Sequence, residues 1–198
     1  MGSKLSLAAY LDRLRLRLRR ADAVERPTPG TERKAAAVLV PLLARNDELR
    51  VLYTRRSDRL VSHRGEVAFP GGRFDRRDPH LLAAALRETH EEVGIEPQIV
   101  DVLGSFEARR THSTNILVTP FVGMVQGAPE LRPDPKEVAE LFEVPLSTLA
   151  DPRHRASHRW QNNGVALSRP AILYEGQVIW GLTYELTIRF LELILTPA

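Results

Sequence analysis

The sequence RETHEEVGI, residues 87–95, places three carboxylates, Glu88, Glu91 and Glu92, within five consecutive positions. On a helix these are positions i, i+3 and i+4, so the three side chains share one face. Like charges at these spacings destabilise a helix by about 0.2–0.5 kcal/mol per pair. The helix dipole also disfavours negative charge near a C-terminal end. A segment that breaks two rules of local stability is typical of a functional site.

A hard divalent cation would turn this repulsion into coordination, because Mg²⁺ binds carboxylate oxygens together with water and substrate phosphates. The alternative is an acidic helix face that is simply solvated. The three glutamates alone leave both interpretations open, so the surrounding sequence has to decide between them.

Composition limits the chemistry that is available to the chain. Its 198 residues include no Cys, which excludes disulfides, thiolate metal sites and cysteine nucleophiles. With 43% apolar and 27% charged residues, the sequence is typical of a globular domain. No apolar run approaches the ~20 residues needed to span a bilayer, and no secretory signal is present, so we expect a cytoplasmic protein without membrane contact. The net charge is +3 with Arg as the main base, which suits an anionic ligand.

The carboxylates lie on a predicted helix with signals at both ends. Asp78 is the predicted N-cap, Pro79 suits the first helical position, and Gly94 suits a left-handed C-terminal residue. The remaining predicted elements are an N-terminal helix with Arg13, Arg17 and Arg20 outward, a hairpin of residues 35–44 and 49–56, a strand and Gly-Gly turn at 67–72, strands at 98–108 and 115–125, one or two helices at 134–150 broken at Pro145, a hairpin turning at Glu175 and Gly176, and a helix capped by Thr183. The first segment also alternates like a strand, but the helical leucine stripe covers more of it.

Because strands and helices interleave, we predict one α/β or α+β domain. Residues 1–30 form the N-terminal helix and connector, and residues 31–198 form the main domain.

Residues 69–95 resemble the signature of the Nudix hydrolases, G-x5-E-x7-R-E-U-x-E-E-x-G-U, where U is a bulky aliphatic residue. The second half matches over residues 87–95, with Thr89 in place of the first aliphatic residue. The first half is one residue longer than the consensus, and Asp78 or Asp75 replaces its glutamate. The resemblance implies an α/β/α sandwich with a mixed sheet, and hydrolysis of a nucleoside diphosphate derivative.

The same resemblance implies roles for the clustered residues. Glu88 and Glu92 would bind Mg²⁺ or Mn²⁺ directly, Glu91 would be a further ligand or a supporting group, and Arg87 would brace the carboxylates. Gly71 and Gly72 would let the backbone approach the metal or the phosphates, where a Cβ would collide.

Residues 52–72 are similar to a pattern of the coenzyme A diphosphatase branch, L-L-T-x-R-[SA]-x3-R-x3-G-x3-F-P-G-G. Most positions are in register, with Tyr53 in place of Leu and Val61 in place of Arg. Coenzyme A carries a 3′-phosphate, whose recognition requires cations outside the acidic cluster. The candidate cations, of which Arg56 is favoured by the pattern and each of which could also be solvent-exposed, are Arg55, Arg56, Arg59, Arg64 and Arg73, with a further group at residues 109–112.

Two further functions stay open from sequence alone. The first is a Nudix diphosphatase acting on ADP-ribose, NADH or another nucleoside diphosphate derivative. The second is a non-catalytic nucleotide- or RNA-binding protein, although three packed glutamates beside an anionic ligand favour catalysis. The candidate general bases, each of which could instead be structural, are His63, His112, Glu137 and Glu140.

Overall fold

A computed structural model describes residues 6–23, 26–28, 30–46, 48–111, 114–162 and 165–196. The helices are α1 (Leu7–Arg17), α2 (Leu81–Val93), α3 (Leu146–Ala150) and α4 (Gly181–Leu195). The strands are β1 (Ala35–Arg45), β2 (Glu48–Arg56), β3 (Val67–Ala68), β4 (Gly71–Arg73), β5 (Val100–Ser105), β6 (Arg109–Arg110), β7 (Leu117–Val125), β8 (Val138–Pro145), β9 (Arg155–Asn162), β10 (Val165–Tyr174) and β11 (Gln177–Trp180).

In this part of the chain, β1 to β8 form one mixed sheet, with β1 parallel to β7 and the other pairs antiparallel. The predicted hairpin is confirmed as β1 and β2, in which Arg45 pairs with Glu48. The strands β9, β10 and β11 form a separate antiparallel sheet. The predicted turn at Glu175 and Gly176 joins the last two, and both of its residues have positive φ.

Successive residues of β1 point to opposite faces of the sheet, so the strand contributes to the cores on both faces. Ala37 and Leu39 pack with Ala84 and Ala85 of α2 on one face. On the other face, Val40 and Leu42 belong to the larger core, whose helical members come from α1, α3 and α4. Helices thus cover both faces of a mixed sheet, which confirms the predicted α/β/α sandwich.

The N-terminal helix packs into this architecture through Leu14, which is fully buried. Arg13 and Arg17 were predicted to point outward, but their guanidinium groups donate to the carbonyls of Leu195 and Leu193 at the end of α4, both at 3.1 Å. These bonds satisfy carbonyls that a helix end leaves without partners. The proposed division of the chain after residue 30 stays a prediction.

One predicted element is wrong, and one strand was missed. The segment predicted as helix before Pro145 is the strand β8, which pairs antiparallel with β2. The strand β9 was not predicted at all, although it pairs with β10 over eight residues. In both segments, cross-strand pairing decides the backbone conformation against a weak local pattern.

Candidate active site

The carboxylate helix α2 has the predicted cap at its C-terminus but a different cap at its N-terminus. His80, not Asp78, is the N-cap, and its Nδ1 accepts from the Ala83 N–H at 3.1 Å. At the other end Gly94 is left-handed, with φ of 77°, and its N–H donates to the His90 carbonyl. The predicted glycine stop is therefore confirmed.

A loop closes over the C-terminal end of α2. The backbone N–H of Arg132 donates to the Val93 carbonyl at 2.9 Å, and that of Asp134 donates to the Glu92 carbonyl at 3.0 Å. A Cβ on Gly94 would lie 3.1 Å from Arg132. The loop and the helix end are thus joined through the main chain.

Glu92 is the most buried of the three glutamates, with 4% of its surface exposed. One carboxylate oxygen accepts from the Gly71 N–H at 3.1 Å. Burial raises the pKa of Glu92 to about 8, because the Gly71 bond and the positive charge of Arg56 only partly compensate for lost solvation. The nearby charges of Glu137 and Glu88 raise the pKa further.

Arg87 holds the other two glutamates. Its Nη1 donates to Glu88 Oε1 at 2.8 Å and to Glu91 Oε2 at 3.1 Å. Burial raises the pKa of Glu88, and the contact with Arg87 opposes this rise. The Glu91 side chain is 56% exposed. Arg87 therefore supplies an internal positive charge on the crowded face of the helix.

Asp78 is the partner that anchors Arg87. Its two carboxylate oxygens accept from Arg87 Nε and Nη2, both at 2.9 Å. Burial alone would raise the pKa of Asp78, but the bonds from Arg87, the Asp75 N–H and the positive charge of Arg87 together outweigh it and hold the pKa below its usual value. Asp75, the alternative partner, binds Arg77 instead and donates its N–H to Asp78. Asp78, rather than Asp75, is thus the bidentate acidic partner of Arg87, and its equivalence to the consensus glutamate stays a prediction.

The two glycines of β4 are required by close approach. Gly71 has φ of 143°, and a Cβ there would overlap the Ala37 carbonyl. A Cβ on Gly72 would lie 2.5 Å from the Glu88 carboxylate. Gly72 is therefore packed against Glu88 and Gly71 against β1, while the predicted approach of their backbone to a metal or phosphate stays a prediction.

Of the predicted substrate-binding arginines, Arg56 lies at the cluster. It is partly buried, its charge acts on Glu92, and its buried Nε has no hydrogen-bond acceptor within reach in the described part of the chain. Arg64 is exposed and its Nε donates to the Leu60 carbonyl. Arg73 is also exposed. Neither Arg64 nor Arg73 makes a hydrogen bond or ion pair with the glutamates among the described residues.

Glu137 is the candidate base that the fold brings to the cluster. It precedes β8 on a turn, and its charge raises the pKa of both Glu88 and Glu92. Glu140, the other candidate, accepts from Gln177 at 2.8 Å. The sequence left the two equivalent because a helix was predicted there.

The histidine candidates are less informative. His63 Nδ1 lies 2.9 Å from Glu66 Oε2, within a loop where His63 has positive φ. His112 lies outside the described residues.

The donor set fits a hard divalent cation. Glu88 and Glu92 offer carboxylate oxygens beside a backbone kept open by glycine, and Glu92 is buried without an ion-pair partner in the described ranges. Oxygen donors of this kind are those that Mg²⁺ and Mn²⁺ prefer. Within those ranges no three acidic or imidazole groups already surround a common point as metal ligands. Metal binding by Glu88, Glu91 and Glu92 therefore stays a prediction.

The comparisons with known proteins agree on one family. The family model described as NUDIX domain matches residues 33–161. The uncharacterized Nudix hydrolase NudL of Yersinia pestis (strain Pestoides F) is 39% identical over 180 residues, which cover 89% of each chain. The protein of the same description from Yersinia pseudotuberculosis (serotype O:1b) has the same identity and coverage.

Two solved structures are also similar. A C. elegans Ap4A hydrolase binary complex has a TM-score of 0.49 and 19% identity, covering 57% of this chain and 80% of that chain. The M. Smegmatis Nudix hydrolase RenU has a TM-score of 0.49 and 23% identity, covering 60% of this chain and 74% of that chain. Separately, no helix among the described residues is long and apolar enough to cross a bilayer.

Proposed function

The chain belongs to the Nudix hydrolase family, and from this premise we propose that it hydrolyses the diphosphate bond of coenzyme A or its derivatives. The products would be 3′-phosphoadenosine 5′-phosphate and 4′-phosphopantetheine. Membership makes the chain an enzyme acting on a small molecule, rather than a non-catalytic binding protein. Nudix hydrolases use divalent metal ions, and we propose Mg²⁺ or Mn²⁺ here.

The observation that carries the proposal is the position of Arg56. It belongs to the pattern of residues 52–72 that resembles the coenzyme A diphosphatases, and its partly buried guanidinium acts on Glu92. The same segment ends in Gly71, which binds Glu92. One stretch of chain thus supports both the substrate assignment and the geometry of the carboxylate cluster.

Glu88 and Glu92 would hold the cation, with Glu91 as a further ligand or support. When bound, a divalent cation supplies positive charge to the diphosphate oxygens and acidifies a water molecule. Without it, a polyanionic substrate would be repelled by the carboxylates.

The protein's own groups would then do the rest. Arg56 would contact a phosphate oxygen through its guanidinium group, and Glu137 would accept the proton of the attacking water. The water oxygen forms a bond to one phosphorus while the bridging P–O bond breaks, and the bridging oxygen leaves with the second phosphate. Gly71 would keep Glu92 in place, and Arg87 would hold Glu88 and Glu91.

Val61 favours a second candidate, a diphosphatase for ADP-ribose, NADH or a related compound. Its side chain is 94% exposed at the position where the coenzyme A pattern has Arg. Without that cation, one contact for a 3′-phosphate would be missing. Arg59 and Arg64 lie on the same exposed loop and could replace it.

A substrate panel separates these candidates. We expect kcat/KM with coenzyme A to exceed that with 3′-dephospho-coenzyme A, ADP-ribose and NADH, each assayed with Mg²⁺ and with Mn²⁺. A preference for the compounds without a 3′-phosphate would reject the coenzyme A assignment and favour the second candidate.

Matched variants test the proposed base. We expect Glu137→Gln to lower kcat by about 10²-fold or more, since general bases typically contribute 10²–10⁴-fold. Glu140→Gln is the control, because Glu140 lies only three residues away but binds Gln177. Equal losses in the two variants would contradict the role of Glu137.

A further inference from the structure

The helix α4 is attached to the strand that leads into the active site. Its third residue, Thr183, was predicted as the N-cap, but the helix begins after Trp180 without a side-chain cap. The Thr183 hydroxyl instead donates to the Val67 carbonyl of β3 at 2.9 Å. The Thr183 side chain therefore joins two elements rather than ending one.

A second contact reaches the same strand through a buried hydroxyl chain. Thr187 donates to the Thr183 carbonyl at 2.8 Å, so its hydroxyl accepts from Tyr53, whose oxygen is 3.0 Å away. Both Tyr53 and Thr187 are completely buried. The Tyr53 ring stacks on Phe69, the residue that follows β3, with ring centroids 4.8 Å apart. The helix and the ring thus hold residues 67–69 at both ends.

Residues 67–69 lead through Pro70 directly into β4, whose first residue is Gly71. The carbonyl of Pro70, the residue before Gly71, accepts from the Leu39 N–H of β1 at 2.9 Å. The next residue, Gly71, donates its N–H to Glu92. The position of that N–H is therefore set from α4 on one side and from β1 on the other.

We propose that Thr183 is a positioning residue for the active site. Its bond to Val67 sets the position of Gly71, whose N–H in turn places Glu92. The helix α4 lies beyond residues 33–161, the part matched by the family model, so the site extends into the C-terminal segment. This inference rests on the role proposed above for Glu92.

The test compares Thr183→Val, which removes the hydroxyl and keeps the shape, with Thr183→Ser, which keeps the hydroxyl. The substrate is the compound that the wild type hydrolyses best. We expect Thr183→Val to lower kcat by about 5- to 50-fold with KM within about twofold, because displaced catalytic groups cost rate. Thr183→Ser should retain kcat within about twofold for the same reason.

Two measurements do not depend on turnover. Calorimetry should show Mn²⁺ binding weakened by about 10-fold in Thr183→Val, as expected when a supporting hydrogen bond is lost. Hydrogen exchange should become faster in residues 67–73. Leu193→Ala is the stability control, because Leu193 is buried near the other end of α4, and we expect it to change neither measurement.

The proposal would be overturned if Thr183→Val kept the kcat and the hydrogen exchange rates of the wild type. It would also be overturned if Leu193→Ala lost as much kcat as Thr183→Val. Should Thr183→Val fail to fold, Tyr53→Phe removes the hydroxyl that donates to Thr187. It should lower kcat and speed exchange in the same direction but by less. If the wild type hydrolyses none of the diphosphates, the proposed function fails, while Mn²⁺ binding and exchange still test Thr183.

Discussion

Replacing Glu92 with Gln should change how the stability of the metal-free protein depends on pH. The pKa of Glu92 rises from 4.5 to about 8 in the folded protein, chiefly through burial. A group with a raised folded-state pKa contributes stability below its unfolded pKa, and this contribution is lost as pH rises through its folded pKa. The free energy of unfolding of the wild type should therefore fall between about pH 4.5 and pH 8.

The size of the effect follows from the same pKa values. One pKa unit corresponds to about 1.4 kcal/mol, so a rise from 4.5 to about 8 sets an upper bound of about 5 kcal/mol. We expect about 2–5 kcal/mol, because water entry and relaxation reduce the cost of burying a charge. Glu92→Gln lacks this contribution, so the free energy of unfolding of the variant should rise relative to that of the wild type as pH increases.

The assay is guanidinium unfolding in EDTA at a series of pH values from 5 to 8.5. Glu91→Gln is the control, since it removes a glutamate of the same helix face and leaves Glu92 intact. Its free energy of unfolding should change with pH as steeply as that of the wild type. Mg²⁺ at 100 times its Kd should then stabilise the wild type at pH 8 by about 2.7 kcal/mol and Glu92→Gln by much less. Parallel curves for wild type and Glu92→Gln would refute the reasoning.

Two further substitutions test the surroundings of the cluster. Gly72→Ala should lower kcat by at least about tenfold while the free energy of unfolding changes by less than about 1 kcal/mol, because the atoms nearest to the new Cβ belong to the carboxylate end of the flexible Glu88 side chain. Wild-type turnover would contradict this. Asp78→Asn should lower the free energy of unfolding by about 2 kcal/mol, because Arg87 loses its bidentate partner. Thermal or denaturant unfolding that matches the wild type would show that Asp78 does not anchor Arg87.

The carboxylate cluster could be predicted from sequence because its members are local. Glu88, Glu91 and Glu92 occupy one helix face whatever the rest of the chain does, and Gly94 marks the end of that helix. Likewise, the turn at residues 175–176 follows from its own backbone preferences.

The contacts that complete the site could not be predicted in this way, because they join distant segments. Glu137 appeared equivalent to Glu140 because the sequence KEVAELF has the apolar spacing of a helix. Pairing with β2 instead makes residues 138–145 a strand, which contains Glu140 and leaves Glu137 on the preceding turn. Asp78 has a residue type suited to capping, but the partly buried guanidinium of Arg87 is the stronger partner. Similarly, Thr183 has a residue type suited to an N-cap, but its hydroxyl binds the Val67 carbonyl of β3 instead.

The main-chain bonds at the end of α2 have a consequence for how this sequence can vary. Since the N–H groups of Arg132 and Asp134 bind the last carbonyls of the helix, the turn bearing Glu137 is fastened beside Glu92 irrespective of what lies between them in the sequence. The intervening strands, from β5 to β7, return to the same point. Insertions or deletions in the connections among those strands can therefore alter the outline of the molecule while the spacing between these two acidic groups is preserved.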